Sequence, residues 1–254
     1  GSEMCIRDRG CDYWVPPIIS EELESMDKEK NPVFENAEAE FYIAKKDGVT
    51  VGRIAAMVNW VEIEEQKKNK LRFGWYDTID DLEVSKKLLE SVIEFGKKRK
   101  LEFVDGPVGF SNMDKAGLLI EGYEELNTMI TWYHYPYQKE HLKKLGFSKL
   151  AEWVEYKIKI FSAEDAPEKV KKFSKIIQQR YELKVLNFKS RKEIIPYVDK
   201  MFELLNVTYS NLQTYVTIKQ YQIDFYKEKF IKYIHPDFIL SLIHISEPTR
   251  QAMI

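Results

Sequence analysis

Residues 71–106, LRFGWYDTIDDLEVSKKLLESVIEFGKKRKLEFVDG, decide how this chain folds. Leu71, Phe73 and Trp75 alternate with Arg72, Gly74 and Tyr76, the period-two pattern of a strand. Asp80 or Asp81 can then cap a helix. Val84, Leu88, Leu89, Val92 and Phe95 recur at helical spacing and carry that helix to about Lys98. The basic run 97–100 sits at its C-terminal end, where cations suit the helix dipole. Leu101–Val104 reads as a short buried strand, ended by Asp105-Gly106-Pro107. Strand, helix and strand in this order form a crossover. Strands 71–76 and 101–105 are therefore expected side by side and parallel.

Upstream, residues 40–59 contain two apolar runs around Lys46-Asp47-Gly48, a hairpin turn with Gly where positive φ is needed. Before them, Pro16 and Pro17 hold 13–20 extended, and Ser20 can cap a short helix through Glu21–Met26. Residues 61–70, VEIEEQKKNK, read as a charged loop. Downstream, 114–120 are expected helical and closed near Gly122, and Thr128–His134 is expected as a strand. A helix from Pro136 ends at Gly146, and Leu150–Ile160 is a final strand with partial alternation. Hairpins followed by crossovers define an α/β class with a mixed sheet, antiparallel first and parallel later. After a linker come a helix at 165–180, a strand at 182–188, helices near 191–206 and 217–233, and a strand opening at 237–240.

Composition narrows the function classes. Of 254 residues, 44% are hydrophobic and 31% charged, an ordinary globular balance. No apolar run approaches the roughly 18 residues of a membrane span, so no membrane partner is expected. Two cysteines near the N-terminus make no disulfide framework and point to a reducing, cytoplasmic setting. The four histidines lack metal-ligand spacing, so no metal site is expected. Residues 10–161 carry 28 acidic against 22 basic side chains, and 162–240 carry 10 against 14. The basic part is spread along helices as a solvated surface, so no nucleic-acid partner is expected. The ends, GSEMCIRDR and SLIHISEPTRQAMI, read as translated sequencing-adapter sequence, so 1–9 and 241–254 are set aside as non-native tails.

Three stretches carry a family likeness: EFYIAKKDGVTVGRIAA, FGWYDTIDDLEVSKKLLESVIEFG, and PYQKEHLKKLGFSKL with its Gly146-Phe147 helix ending. Their order resembles the N-acetyltransferase (GNAT) core. Together with YWVPP, KNPVFENAEAEF and DGPVGFSNMDKAGLLIEGY, they look like a group of bacterial proteins built as two GNAT-like halves. The likeness covers about 13–160. It implies a GNAT-like acyl-CoA N-acyltransferase fold over 10–161, lacking its first strand. It further implies a linker helix and the opening of a second GNAT-like half over 162–240.

The resemblance implies transfer of an acyl (acetyl) group from CoA to a primary amine, on a small molecule or a peptide. Acetyl-CoA would lie along Gly74, Trp75 and Tyr76, with the oxyanion held by a backbone N–H near Trp75 or Tyr76. Its pyrophosphate would rest at Asp80, Asp81 and Leu82, on the start of the next helix. The family's Gly-rich loop is absent there, and the carboxylates of Asp77, Asp80 and Asp81 oppose an anion. The family's tyrosine acid is also absent, since Leu142 holds the position four before Gly146. Tyr137 is the substitute acid. As a histidine, His141 could serve as an acid or base, and it equally suits an exposed helix face. In Gly106–Asp114, Asp114 is a candidate base and Ser111 and Asn112 candidate substrate contacts; all three could instead cap a helix. The aromatic cluster Trp132, Tyr133, His134, Tyr135 and Tyr137 reads as core and rim. The alternative function is a non-catalytic binding half that has lost CoA binding.

Overall fold

The computed structural model describes residues 11–244 apart from 129, 160, 161, 163, 232 and 240; the two ends set aside above fall outside this range except for 241–244. Strands β1 (Ala37–Lys46) and β2 (Val49–Asn59) form the expected antiparallel hairpin. Asp47 and Gly48 both take positive φ, 52° and 80°, the primed turn whose twist matches paired strands. Helix α1 (Ile19–Met26) precedes them; it starts one residue before Ser20 and has no side-chain cap. Asn59 then caps a short helix, α2 (Trp60–Glu64), by accepting the Val61 N–H at 3.1 Å. The expected charged loop is thus partly helical, and its Glu62 is buried.

Strand β3 (Lys70–Thr78) pairs antiparallel with β2, and β4 (Phe103–Asp105) pairs parallel with β3. Helix α3 (Leu82–Lys98) makes the crossover between them. The sheet order is β1-β2-β3-β4, a mixed sheet in a mixed α/β chain. Leu88, Leu89, Val92 and Phe95 of α3 pack on one face against Ile54, Ala56, Val58, Leu71, Phe73 and Tyr76. The other face holds Val33, Ala39, Ala55, Met57, Trp75, Phe110 and Trp132.

The simple alternation read for 71–76 breaks at a β-bulge. Gly74 pairs with Ala55 and Asp77 with Arg53, so Trp75 and Tyr76 together face the single residue Ile54. Trp75 and Tyr76 therefore lie on opposite faces from those that strict alternation gives them.

Three other expected elements are irregular, for identifiable reasons. Residues 114–120 are not helical, because their backbone groups bond sideways: Gly117 N–H donates to Pro107 O at 2.7 Å and Gly109 N–H to Lys115 O at 3.0 Å. Residues 128–134 form no strand in their described part. Their side chains compete for local groups, with Thr131 Oγ1 donating to Asn127 Oδ1 at 2.5 Å and Asn127 Nδ2 to Thr131 O at 3.0 Å. Residues 150–159 form no strand among the described residues, and Tyr156 and Ile158 are exposed. Helix α4 (Pro136–Lys144) forms as expected, with Gly146 at φ 90° just beyond it.

The chain divides into two units. The first runs through Trp153 and includes Asn211–Thr217; the second comprises Val154–Ser210 and the residues from Ile218. The second holds α5 (Glu168–Arg180), β5 (Leu183–Leu186), α6 (Arg191–Tyr209), α7 (Gln220–Phe230) and β6 (Ser241–His244). Strands β5 and β6 pair antiparallel, and Phe188, Ile194 and Val198 form a small core. The strand expected from Asp237 is instead a 3-10 turn at Pro236–Phe238, followed by β6. Among the described residues, no helix is long and apolar enough to cross a membrane.

A buried ion network lies beneath the β3–β4 junction. Glu62 accepts from Arg72 Nε at 2.6 Å and Nη2 at 2.7 Å, and pairs with Lys70 at 3.1 Å. Lys70 also donates to Asp105 at 2.8 Å. Removing one member strands buried opposite charges. Glu62→Ala should therefore cost about 3–5 kcal/mol, read as a lower urea midpoint by tryptophan fluorescence. An unchanged midpoint would show that the network carries no stability.

Candidate functional site

Strand β4 ends at Asp105, opposite Arg72, while β3 continues to Thr78. The chain after β4 follows β3 for one more residue, with Val108 N–H donating to Phe73 O at 2.8 Å. It then crosses at Gly74, where any Cβ would collide with the Val108 carbonyl oxygen and crowd the Trp132 ring. Beyond this point the edge of β3 meets the start of α4. Tyr137 donates its hydroxyl to Thr78 O at 2.7 Å, and Gln138 Nε2 reaches Asp77 Oδ1 at 3.4 Å. The bulge sits at this divergence, with Trp75 at φ 48°, a strained value for a bulky residue.

Because the bulge separates Trp75 from Tyr76, it serves two environments. On one face, Trp75 Nε1 donates to Glu22 Oε2 at 2.8 Å, and Lys115 pairs with Glu22 at 3.2 Å. The rings of Phe41, Phe110 and Trp132 stand edge-on around Trp75 at 5.9–6.1 Å. On the other face, Tyr76 donates to Ser85 Oγ at 2.9 Å, and Thr78 Oγ1 is 3.2 Å from the same atom. Ser85 Oγ is 2.8 Å from His141 Nδ1, and His141 Nε2 is 3.2 Å from Asp80 Oδ1. Tyr76, Thr78, Ser85 and His141 are buried, whereas the Asp80 side chain is 70% exposed.

The bond directions in this chain follow from its outer end. The Asp80 carboxylate only accepts, so His141 presents Nε2–H to it. In the neutral ring Nδ1 then accepts from the Ser85 hydroxyl, whose oxygen accepts from Tyr76. A continuous polar path thus runs from the sheet, through α3 and α4, to solvent. Burial pushes the Tyr76 phenol above its usual range, against the opposing effect of its bonds to Ser85 and Thr78. His141 does not lie on an exposed helix face, as one sequence reading had it; α4 buries Gln138, His141 and Leu142 together.

The two acidic residues at the start of α3 have separate tasks. Asp80 turns to His141. Asp81 caps the helix, accepting from Glu83 N–H at 3.0 Å and from Lys46 at 3.3 Å. The bond from Lys46, then that from Glu83, hold the Asp81 carboxyl below the usual carboxylate range. Leu82 is the first, half-buried residue of the helix.

In the loop after β4, Asp114 Oδ2 accepts from Ser111 N–H at 3.0 Å and Ser111 Oγ from Met113 N–H at 3.1 Å. These are turn-stabilising bonds without a helix to cap. Arg72 Nη1 donates to Gly109 O at 3.0 Å, and Asn59 Nδ2 to Phe110 O at 3.2 Å. Asn112 Oδ1 is buried without a hydrogen-bond partner. Burial pushes the Asp114 carboxyl above its usual range, opposed by the bond from Ser111 and the charge of Arg72. The structure therefore gathers Tyr76, Asp80 and Tyr137 near His141 and Ser85, while Asp114, Ser111 and Asn112 belong to the loop. Among the described residues, no cluster of His, Cys, Asp and Glu could hold a metal ion.

Sequence reading missed Ser85 and the Tyr76 hydroxyl as site members. The signal was present: Ser85 lies three and four residues before Leu88 and Leu89, on the buried stripe of α3. A small polar residue on an apolar stripe asks for a buried partner.

Fold and geometry define a mixed α/β protein whose short parallel strand pair ends before a bulge in its antiparallel neighbour ladder, beside a buried polar chain. No protein-family model matches the sequence, and no solved structure matches it significantly. The chain is similar to Protein YghO of Escherichia coli K12, 25% identical over 238 residues, covering 92% of this chain and 58% of that protein. It is also similar to the bacterial ceramide synthase of Caulobacter vibrioides, 24% identical over 146 residues, covering 57% of this chain and 38% of that protein. The chain thus spans little more than half the length of the first relative and less of the second.

Asp114 supplies a test of the loop. A carboxyl raised in the fold favours its neutral form, so its contribution weakens as pH rises from the unfolded value, about 3.9, through the folded one. Asp114→Asn stays neutral and keeps an acceptor. It should match or exceed the parent stability at pH 7 and flatten this part of the pH dependence, measured by urea unfolding between pH 4 and 8. Asp114→Ala should lose about 1–3 kcal/mol by stranding buried donors. Equal losses in both variants would refute this assignment.

Proposed function

We propose that the first unit is a GNAT-like acyltransferase module that moves an acyl group from a thioester to a primary amine. The observation that carries this reading is the parallel β3–β4 pair, which ends at Arg72–Asp105 just before the bulge at Trp75. A bulge at a strand divergence re-aims backbone donors, and bulges are frequent beside active sites. A thioester carbonyl lying there would meet the backbone N–H of Trp75 or Tyr76 as its oxyanion donor. The amine nitrogen would attack the carbonyl carbon, forming the C–N bond and breaking C–S. The amine loses a proton, and the thiolate gains one. Tyr137, at the same edge of β3, is the candidate donor to sulfur, once its hydroxyl leaves Thr78 O. The similarity to a protein named bacterial ceramide synthase supports the chemistry, because a ceramide is an amide of a fatty acid and a long-chain amino alcohol. Acetyl-CoA is the simplest donor to test.

A second reading has its own observation. The Asp81 carboxylate occupies the first N–H groups of α3, the anion site that a CoA pyrophosphate would need. On this reading the first unit is a binding half without CoA, and turnover belongs to another part of a longer protein.

Calorimetric titration with acetyl-CoA at low salt separates the two. The acyltransferase reading expects saturable heat and tighter binding by Asp80→Asn/Asp81→Asn, by up to about thirtyfold, since each removed charge is worth some tenths to 1 kcal/mol. No heat at millimolar acetyl-CoA from either protein would reject CoA-dependent transfer by this unit and leave the second reading. Weaker binding by the double variant would refute the account of the anion site.

A further inference from the structure

Helix α5 presents a problem of stability. It has 13 residues, none of them buried. A helix of that length is marginal in water when only its own hydrogen bonds support it. Its apolar residues are nevertheless on one side: at about 100° per residue, Val170, Phe173, Ile176 and Ile177 fall within an arc of about 120°. They are 56%, 53%, 45% and 46% exposed. Between α5 and β5 lies an open groove of about 520 Å³, lined by Val170, Phe173, Ile177, Leu183 and Val185.

Charge identifies what would cover this face. Helix α5 carries five basic side chains, Lys169, Lys171, Lys172, Lys175 and Arg180, against one acidic residue, Glu168. Glu168 is already paired with Lys171 at 3.0 Å. Lys169 and Arg180 sit at opposite ends of the helix on its apolar side, where long stems can lie along hydrocarbon and lift their charges to a polar layer. Lys169 Nζ stands 6.0 Å over the Phe173 ring. Low overall hydrophobicity, a segregated apolar face and flanking cations are the properties of a helix that lies in a bilayer interface.

We propose that α5 docks the second unit on an anionic lipid surface. The helix lies parallel to the membrane plane, with Phe173, Val170 and the two isoleucines below the headgroups, Lys169, Lys172 and Arg180 among the phosphates, and Lys171 and Lys175 on the side facing water. No spanning segment is needed. Such docking departs from the expectation of a plain solvated surface and no membrane partner for the basic part of the chain. The inference stands apart from the acyl-transfer reading, because it rests on the second unit alone.

Sedimentation of the full chain with sucrose-loaded vesicles tests it. Vesicles of phosphatidylcholine with about one third phosphatidylglycerol should bind the protein, and phosphatidylcholine alone should bind it far more weakly. Lys169→Gln, Lys172→Gln and Arg180→Gln, at or beside the apolar face, should each weaken binding about fivefold, the equivalent of about 1 kcal/mol per cation near a charged surface. Phe173→Asp should remove binding. The cation changes should leave the melting curve by circular dichroism unmoved, because those side chains are exposed, so they test binding even where Phe173→Asp lowers stability. Equal binding to both vesicle types, or no binding to either, overturns the proposal. So does concentration-dependent self-association by light scattering that Phe173→Asp abolishes without any vesicle binding, which would assign the face to a second copy of the chain.

Discussion

The ion network of Glu62, Arg72, Lys70 and Asp105 is the constraint on which the first unit depends. The β3–β4 ladder has only three residue pairs, too few to define a register by backbone bonds alone. The buried charges supply the missing definition. Lys70 and Arg72 lie two apart on one face of β3, and Asp105 stands opposite Arg72. A one-residue slip would turn both cations towards the apolar side of α3. Two cations and two carboxylates balance, which is what allows these residues to lie out of water. Arg72 extends the same bonding to the carbonyls of Gly109 and Thr214. One guanidinium thus ties a strand, a short helix, a loop and a distant segment of chain.

The bulge is the second constraint, and it acts at the other end of β3. The ion network holds Lys70–Arg72 to its parallel neighbour, and Val108 holds Phe73. Past Gly74 the strand passes to helical neighbours instead. The extra residue lets a single strand supply an indole to one layer and a phenol to the other. The tryptophan joins an aromatic cluster held by Glu22; the tyrosine begins the hydrogen-bonded path to Asp80. A parallel partner at one end and a helix at the other set the two halves of β3 in different surroundings.

Elements whose bonds are local were legible in the sequence. The Asp47-Gly48 turn, the stripe of α3 with its Asp81 cap, and Gly146 after α4 each need only neighbouring residues to specify them. The parallel crossover was also legible, because a strand, an amphipathic helix and a strand leave few arrangements. The charges were not. Lys70, Arg72 and Glu62 look like solvent-facing residues of a strand and a loop, and only their mutual pairing makes burial possible. Segment 128–134 misled for the opposite reason: its strand-forming composition reflects aromatic burial, while Thr128, Thr131 and Asn127 satisfy one another locally. The exposed-face alternative for His141 failed because a wheel drawn for α4 alone does not show that Ser85 waits across from it.

Asn211–Thr217 belongs to the first unit although the chain reaches Trp153 long before it. Arg72 can meet Glu62, ten positions earlier, almost as soon as both exist, but its bond to Thr214 spans 142 positions. During synthesis the first unit therefore emerges from the ribosome with one carbonyl ligand of its central arginine still unmade. At about 5–20 residues per second, about 7–28 seconds pass between the two events. Throughout that interval the nascent unit has to hold a buried cation with an incomplete set of acceptors, so its final consolidation is timed by translation of the second unit's helices.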